Sequence, residues 1–288
     1  MNEDSVGFIG LGNMGAPMAA NLASGDWSVI VHDAAGTRER APARATIAES
    51  VAELVTQAPV VLLSLPDSKV VDAVSDAILA APSAITKRVI DTSTIGVAQA
   101  RAVHDKLAAS GIEYVDAPVS GGVAGARAGS VSIMVAAPVA SFEELRPLLE
   151  SFTGNVFHVG TEAGQGQAMK VLNNFLSGTA MAATSEAIAF GGSQGLDLAD
   201  MLDVLNVSTG RNTASSDKFV NRILTQSYDA GFSCAQMNKD LGLYREGLAA
   251  SGGADPISGA VAGIWQRFLD ASANADITRI YPFIKNNR

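Results

Sequence analysis

The first half of the chain alternates short apolar runs with stretches whose apolar positions recur at helical spacing. Residues 6–9, 27–31, 60–65 and 89–91 read as strands, and further strands are expected at 114–116, 130–135 and 156–159. Between them, residues 14–24, 47–55, 70–79 and 97–110 carry helix-like patterns. Strand and helix in alternation predict a mostly parallel sheet covered on both faces. Beyond Gly164 the strand-like runs stop. Residues 167–191, with no Pro and one interior Gly, read as a single helix longer than the usual globular one. Residues 198–205, 215–224, 235–250 and 256–273 continue in the helical pattern. Gly160, Gly164 and Gly166 break the rhythm around residues 161–166, which puts the boundary there. The expectation is an α/β domain over 1–162 and an all-α domain over 163–288 that begins with the long linking helix. No internal repeat or low-complexity segment interrupts either half.

Chemistry enters at the first strand-to-helix turn. Gly10-Leu11-Gly12-Asn13-Met14-Gly15 is a G-x-G-x-x-G, a pattern common by chance but placed here between a strand and a helix. Glycines permit a tight turn and close backbone approach to a pyrophosphate, and the helix N-terminus offers N–H donors and positive potential. Pro17 falls in the first helical turn, where its missing N–H costs little. Asp33 follows the second strand, where a carboxylate accepts from ribose hydroxyls and repels a 2'-phosphate. The first domain therefore reads as a Rossmann dinucleotide-binding domain that favours NAD over NADP. Arg38 and Arg40 stand close by and pull the other way, since a basic group serves a phosphate. The competing reading is a plain glycine turn beside a solvated acid.

Composition narrows the partners. A formal net charge of -9 repels phosphate backbones and anionic lipid, which disfavours nucleic-acid and membrane-surface binding. An anionic substrate then needs a local basic site. No run approaches ~20 uninterrupted apolar residues, so no membrane span is expected. Cys234 is the only cysteine, which excludes an internal disulfide and a cysteine-rich metal site and suits a reducing, cytoplasmic setting. Met1-Asn2-Glu3-Asp4 carries acid where a signal peptide carries a basic cluster and an apolar run.

Further motifs fall in a fixed order. They are Met18-Ala19-Ala20-Asn21-Leu22 behind the glycine turn, Leu65-Pro66, Asp91-Thr92-Ser93-Thr94, and Asp116-Ala117-Pro118-Val119-Ser120-Gly121-Gly122. Gly164-Gln165-Gly166 then leads through Lys170 to Asn173-Asn174, and Lys239-Asp240-Leu241 follows. With these, nearly the whole chain resembles the beta-hydroxyacid dehydrogenase family, which includes 3-hydroxyisobutyrate dehydrogenase and tartronate semialdehyde reductase. The resemblance implies that Leu65, Pro66 and Thr94 contact the nicotinamide half of the cofactor. It implies that Ser120, Gly121 and Gly122 form the substrate-carboxylate loop. It makes Lys170 the catalytic lysine, Asn174 a substrate-orienting amide, and Lys239 a helical-domain residue closing over cofactor and substrate, with Asp240 its structural neighbour. Two positions depart from the family pattern. Ala136-Ala137 stands where Gly-Gly is frequent, and Val70 where some members have Asn.

The residues support that chemistry in their own terms. Oxidising an alcohol needs a hydride acceptor and a group that takes the hydroxyl proton. Nicotinamide is the first, and a Lys serves as the second if burial or a neighbouring cation lowers its pKa. Lys170 sits in an apolar helical stretch between Met169 and Val171, with Asn174 four residues on and so on the same face. The competing reading is a helix lysine that snorkels its amine into water. Ser120 with successive glycine N–H groups can form an anion-binding concavity, or else a simple turn. Lys239 is a solvated helix charge if the motif is disregarded.

Other dehydrogenase chemistries fit less well. His32, His104 and His158 read as structural, which disfavours a His-Asp dyad. No metal site is expected. Tyr281 and Lys285 form a Tyr-x-x-x-Lys, but Pro282 allows only a short helix there and the segment reads as tail. Asn173 stands where the decarboxylating 6-phosphogluconate enzyme has His. The expected function is hydride transfer between NAD and a small 3-hydroxy acid or its semialdehyde, with tartronate semialdehyde reduction as an alternative. A non-catalytic dinucleotide-binding protein and an imine-reducing relative are the remaining readings. The apolar helical half suggests a homo-dimer or homo-tetramer.

Overall fold

Alternate residues of each central strand enter different cores. Val6, Phe8, Val29, Val31, Leu62, Ile90 and Val115 belong to one apolar cluster, and Ile9, Ile30, Val61, Leu63, Val89 and Tyr114 to another. This is the two-residue period of a sheet buried on both faces. The computed structural model describes residues 4–286. The N-terminal reading at Met1, Asn2 and Glu3 lies outside the described residues.

The chain divides into two compact units, residues 1–170 and 171–288. In the first, β1 (Ser5–Ile9) leads to α1 (Gly15–Ser24), β2 (Ser28–His32), β3 (Thr46–Ile47), α2 (Val51–Val55) and β4 (Val60–Leu63). Then come α3 (Ser68–Ala80), β5 (Arg88–Asp91), α4 (Val97–Ala108), β6 (Glu113–Asp116) and β7 (Val119–Ser120). The unit continues with α5 (Gly122–Ala128), β8 (Ser132–Ala136), α6 (Val139–Glu150) and β9 (Asn155–Gly160). The sheet order is β3-β2-β1-β4-β5-β6-β8-β7, with β9 on β8. Strands β1 to β6 are parallel, whereas β8 runs antiparallel to β6 and β7. Chain order reverses between β1 and β4, the switch point outside which α/β sheets bind ligands. Met18 and Leu22 of α1 and Phe142, Leu145 and Leu149 of α6 cover one face, and Leu54, Ile78, Val103 and Leu107 cover the other.

Three local readings are corrected. The helix expected from residue 47 starts at Val51, because Thr46 and Ile47 pair with Ile30 and Val31 and Ser50 caps the helix by accepting from the Glu53 N–H at 3.1 Å. The apolar pattern predicts neither α5 nor α6: α5 is a run of Gly and Ala without periodicity, and α6 contains Pro147. The segment read as tail forms the helix Ile280–Asn286, with Ile280 fully buried and Tyr281 9% exposed.

The long helix α7 (Gln165–Ser193) runs from the first unit into the second. The second unit then holds α8 (Leu198–Val207), a π-helix (Ala214–Ile223), α9 (Cys234–Ala250), α10 (Pro256–Ser272), a 3-10 turn (Ile277–Arg279) and α11 (Ile280–Asn286). The bond from Leu224 N–H to Phe219 O, five residues back, marks the wide π turns. Its core gathers Met181, Ile188, Phe219, Met237, Leu241 and Ile280 with Trp265, whose Nε1–H donates to Gly178 O at 3.1 Å. No helix among the described residues is long and apolar enough to cross a membrane.

Candidate active site

The glycine turn is built by close contacts. Gly10 has φ +97, and a Cβ there would strike Ser64 O; a Cβ on Gly15 would strike Gly10 O. These two glycines let β1, α1 and β4 converge. Gly12 differs, because a Cβ there would meet no protein atom within 4 Å. Packing therefore does not demand glycine at position 12, and the room beside it suits a pyrophosphate approaching the backbone. Helix α1 has no side-chain cap and no acid in its first turn. Its N–H groups and dipole therefore remain suited to an anion.

Asp33 does more than its sequence position suggests. Its Oδ2 accepts from Leu11 N–H at 2.6 Å, and its Oδ1 accepts from Ala35 N–H at 2.7 Å and from the Arg40 guanidinium at 3.1 Å. The carboxylate thus pins the glycine turn to the end of β2. With about four lone-pair sites on a carboxylate, capacity remains for a ribose hydroxyl. Arg38 pairs with Glu49 instead.

The loops after β4 and β5 are bonded together. Leu65 N–H donates to Ser93 Oγ at 2.9 Å, Thr92 Oγ1–H to Leu63 O at 2.6 Å, and Ser93 N–H to Asp91 Oδ1 at 2.9 Å. Tyr114 O–H donates to Asp91 Oδ2 at 3.1 Å. Leu65-Pro66 and Thr94 are held in this way at the carboxyl ends of adjacent strands. Strand β7 continues from β6 past Pro118 and pairs Ser120 with Ser132. Gly121 and Gly122, at φ +138 and +65, then turn the chain into α5.

Helix α7 starts against β6. Asp116 Oδ2 accepts from the N–H groups of Gly164 at 2.9 Å and Gln167 at 3.0 Å. A Cβ on Gly166 would lie 2.7 Å from Met134 O and 2.9 Å from Asp116 Cγ, so glycine permits this approach. Lys170, one turn further, is 8% exposed. Burial pushes the Asp116 carboxyl up to about 6, opposed by the Gln167 donors and aided by the charge of Asp91. The folded state then holds this proton more tightly than the unfolded chain, whose carboxyl titrates near 3.8. The Asp116 contribution to stability is accordingly fullest below about 4 and falls as pH rises to about 6. Urea unfolding of the parent and Asp116→Asn at pH 4.5 and pH 7 checks this. The parent's advantage should be smaller at pH 7, by about 2 kcal/mol, since 1.36 kcal/mol per pK unit acts over the interval from pH 4.5 to about 6; an advantage that grows with pH contradicts it.

In the second unit, Asp240 organises two of the expected residues. Asn174 Nδ2–H donates to Asp240 Oδ2 at 2.6 Å, and Lys239 Nζ lies 3.4 Å from Asp240 Oδ1. Asn174 and Asp240 are 6% and 2% exposed, and the Lys239 side chain is 35% exposed. The glycine turn, Asp33, Leu65-Pro66 and Thr94 thus follow the ends of parallel strands of the first unit, Ser120 lies on β7 just past β6, and α7, which carries Lys170, is bonded at its first turn to Asp116 at the end of β6. The Lys239-Asp240 motif named Asp240 as a neighbour, yet its bond to Asn174 had no signal in the sequence. Among the described residues no His, Cys, Asp and Glu group could hold a metal ion. His32 and His158 engage the carbonyls of Ala48 and Ala137.

A family profile described as the NAD binding domain of 6-phosphogluconate dehydrogenase matches residues 5–160. Another, described as the NAD-binding of NADP-dependent 3-hydroxyisobutyrate dehydrogenase, matches residues 164–284. A probable 3-hydroxyisobutyrate dehydrogenase of Mycobacterium tuberculosis is 36% identical over 284 residues, covering 96% of each chain. An NAD-dependent L-serine dehydrogenase of Pseudomonas aeruginosa is 35% identical over 277 residues, covering 92% of each. The solved structure of Mycobacterium tuberculosis 3-hydroxyisobutyrate dehydrogenase with L-serine superimposes with TM-score 0.89, covering 97% of this chain and 98% of that one at 36% identity.

Proposed function

Because this chain belongs to the beta-hydroxyacid dehydrogenase family of NAD(P)-linked enzymes acting on CH–OH donors, we propose a specific reaction for it. It moves a hydride between NAD and the alcohol or semialdehyde carbon of a small, anionic 3-hydroxy acid resembling 3-hydroxyisobutyrate. The observation that carries this reading is the burial of Lys170 on a helix whose first turn is bonded to Asp116 at the carboxyl end of β6.

Bound NAD supplies the hydride acceptor. The turn Gly10-Leu11-Gly12-Asn13-Met14-Gly15 takes its pyrophosphate, with the N–H donors drawn from the residues after Leu11, since Gly10 N–H is bonded to His32 O and Leu11 N–H to Asp33 Oδ2, and Asp33 takes the adenosine ribose. Leu65, Pro66 and Thr94 line the nicotinamide half. Ser120, with the N–H groups of Gly121 and Gly122, holds the substrate carboxylate against the acidic field of the whole chain. Lys170 takes the hydroxyl proton in oxidation and returns it in reduction. Asn174 orients the substrate, and Lys239 keeps the closing role that the family gives it, each steadied by Asp240. Residues 1–162 serve the dinucleotide and 163–288 the substrate and assembly. Exposed Leu172, Leu176, Phe190 and Val207 support a homo-dimer or homo-tetramer.

A panel of small hydroxy acids, with tartronate semialdehyde in the reverse direction, tests the reading through absorbance at the NADH band. At least one 3-hydroxy acid should reduce the dinucleotide, with higher kcat/KM for NAD than for NADP. Arg40, already seated on Asp33, favours a second reading in which both cofactors serve. Comparable kcat/KM for the two would select it. No reduction with any member of the panel would remove the catalytic reading.

A further inference from the structure

Gln167 makes four hydrogen bonds with one side-chain amide, and none is reached by solvent, since the residue is fully buried. Its Oε1 accepts from Ile95 N–H at 2.9 Å and from Gly96 N–H at 3.1 Å. Its Nε2–H₂ donates to Ser93 O at 3.0 Å and to Asp116 Oδ1 at 2.9 Å. An amide oxygen accepts two bonds and an amide nitrogen donates two, so the group is saturated and its orientation is fixed. Three of the four partners flank Thr94 in the loop after β5. The fourth is the carboxylate that anchors the N-terminus of α7. Gln167 itself precedes Lys170 by three residues, close to one helical turn.

We infer that Gln167 is a positioning residue that holds the Thr94 loop and the Lys170 turn of α7 in one fixed arrangement, so that cofactor and proton-transfer group stay in register. The inference rests on the dehydrogenase reading of Lys170 and Thr94. Its physical basis is the network itself. Ser93 Oγ also receives Leu65 N–H, so the same loop reaches the Leu65-Pro66 turn. A shift of α7 along its axis would break bonds to Ser93, Ile95, Gly96 and Asp116 together. Conversely, a shift of the loop would pull on α7. The buried N–H groups of Ile95 and Gly96 have strong reason to keep this partner, because unpaired buried donors are costly. Mispositioning by about 1 Å suffices to cost roughly 100-fold in rate.

The test compares the parent with Gln167→Leu, which keeps most of the volume and removes all four bonds. Gln167→Glu retains the two acceptor bonds and sets a carboxylate against Asp116 and Ser93 O. It carries the same test should the leucine variant not fold. Three readouts are taken well below the unfolding temperature. They are NADH affinity by calorimetry, kcat and KM with the best hydroxy acid of the panel, and the primary deuterium isotope effect on kcat. The expected result is a kcat lowered about 10- to 100-fold and an NADH affinity weakened several-fold. The isotope effect should rise as hydride transfer becomes the slow step. A folded variant with kcat, NADH affinity and isotope effect within twofold of the parent would overturn the inference and leave Gln167 a merely structural residue. A parent that turns over no hydroxy acid would instead strike the functional reading. The NADH affinities of parent and variant would then still decide whether Gln167 sets the loop.

Discussion

Lys170→Ala should bind NADH as the parent does and turn over its hydroxy acid at least ~100-fold more slowly, the loss expected on removing a proton-transfer group. The dinucleotide contacts proposed here come from the glycine turn, Asp33 and the loops after β4 and β5, none of which involves this side chain. A thermal melt taken beside the assay separates loss of chemistry from loss of fold, since Lys170 is 8% exposed and its truncation removes buried volume. Small primary amines added to the assay should restore part of the rate, because the missing function is a proton acceptor of that chemistry. Parent-like turnover in the variant would discard the lysine assignment. Loss of NADH binding alongside turnover would reassign Lys170 to the cofactor.

Gly12→Val separates the two kinds of glycine in the turn. A Cβ at position 12 meets no protein atom within 4 Å, so the variant should unfold near the parent's temperature. A valine there would nonetheless fill the space that a pyrophosphate needs to approach the backbone, and NADH affinity should fall by about 100-fold or more, near 2.7 kcal/mol. Gly15→Val is the contrasting case. Its Cβ would press into Gly10 O, so that variant should lose thermal stability before any question of ligand arises. Calorimetric titration with NADH and a thermal melt distinguish the outcomes. Unchanged NADH affinity in a folded Gly12→Val protein would mean that the dinucleotide does not pass over this turn.

The fold was legible where burial imposes a repeat. Strands such as Val60–Leu63 are apolar throughout because both faces are covered, and their alternation with helical stretches fixed the parallel sheet in advance. The glycine turn was legible because its chemistry is local: a strand end, three glycines and a helix start lie within a few residues. What escaped was mostly non-local. Asp33 could be read as a ribose ligand, but its bond to Leu11 N–H joins residues 22 apart. The Gln167 amide reaches partners more than 50 residues away, and an uncharged residue in a helical run gives no sign of such a role. Helix α6 hid behind Pro147, although Phe142, Leu145, Leu148 and Leu149 had the spacing of a buried face. The π-helix read as an ordinary helix, since the apolar pattern carries no information on whether turns close at four residues or five.

The most direct measurement is a crystal structure of the protein with NADH and a small 3-hydroxy acid bound together. The expected arrangement has the substrate carboxylate on Ser120 and the glycine N–H groups after it. Lys170 Nζ should lie within hydrogen-bond reach of the substrate hydroxyl, about 2.6–3.2 Å, beside the nicotinamide ring. An amine of Lys170 directed to bulk solvent, away from a dinucleotide seated on the Gly10–Gly15 turn, would contradict the catalytic account and leave only the fold.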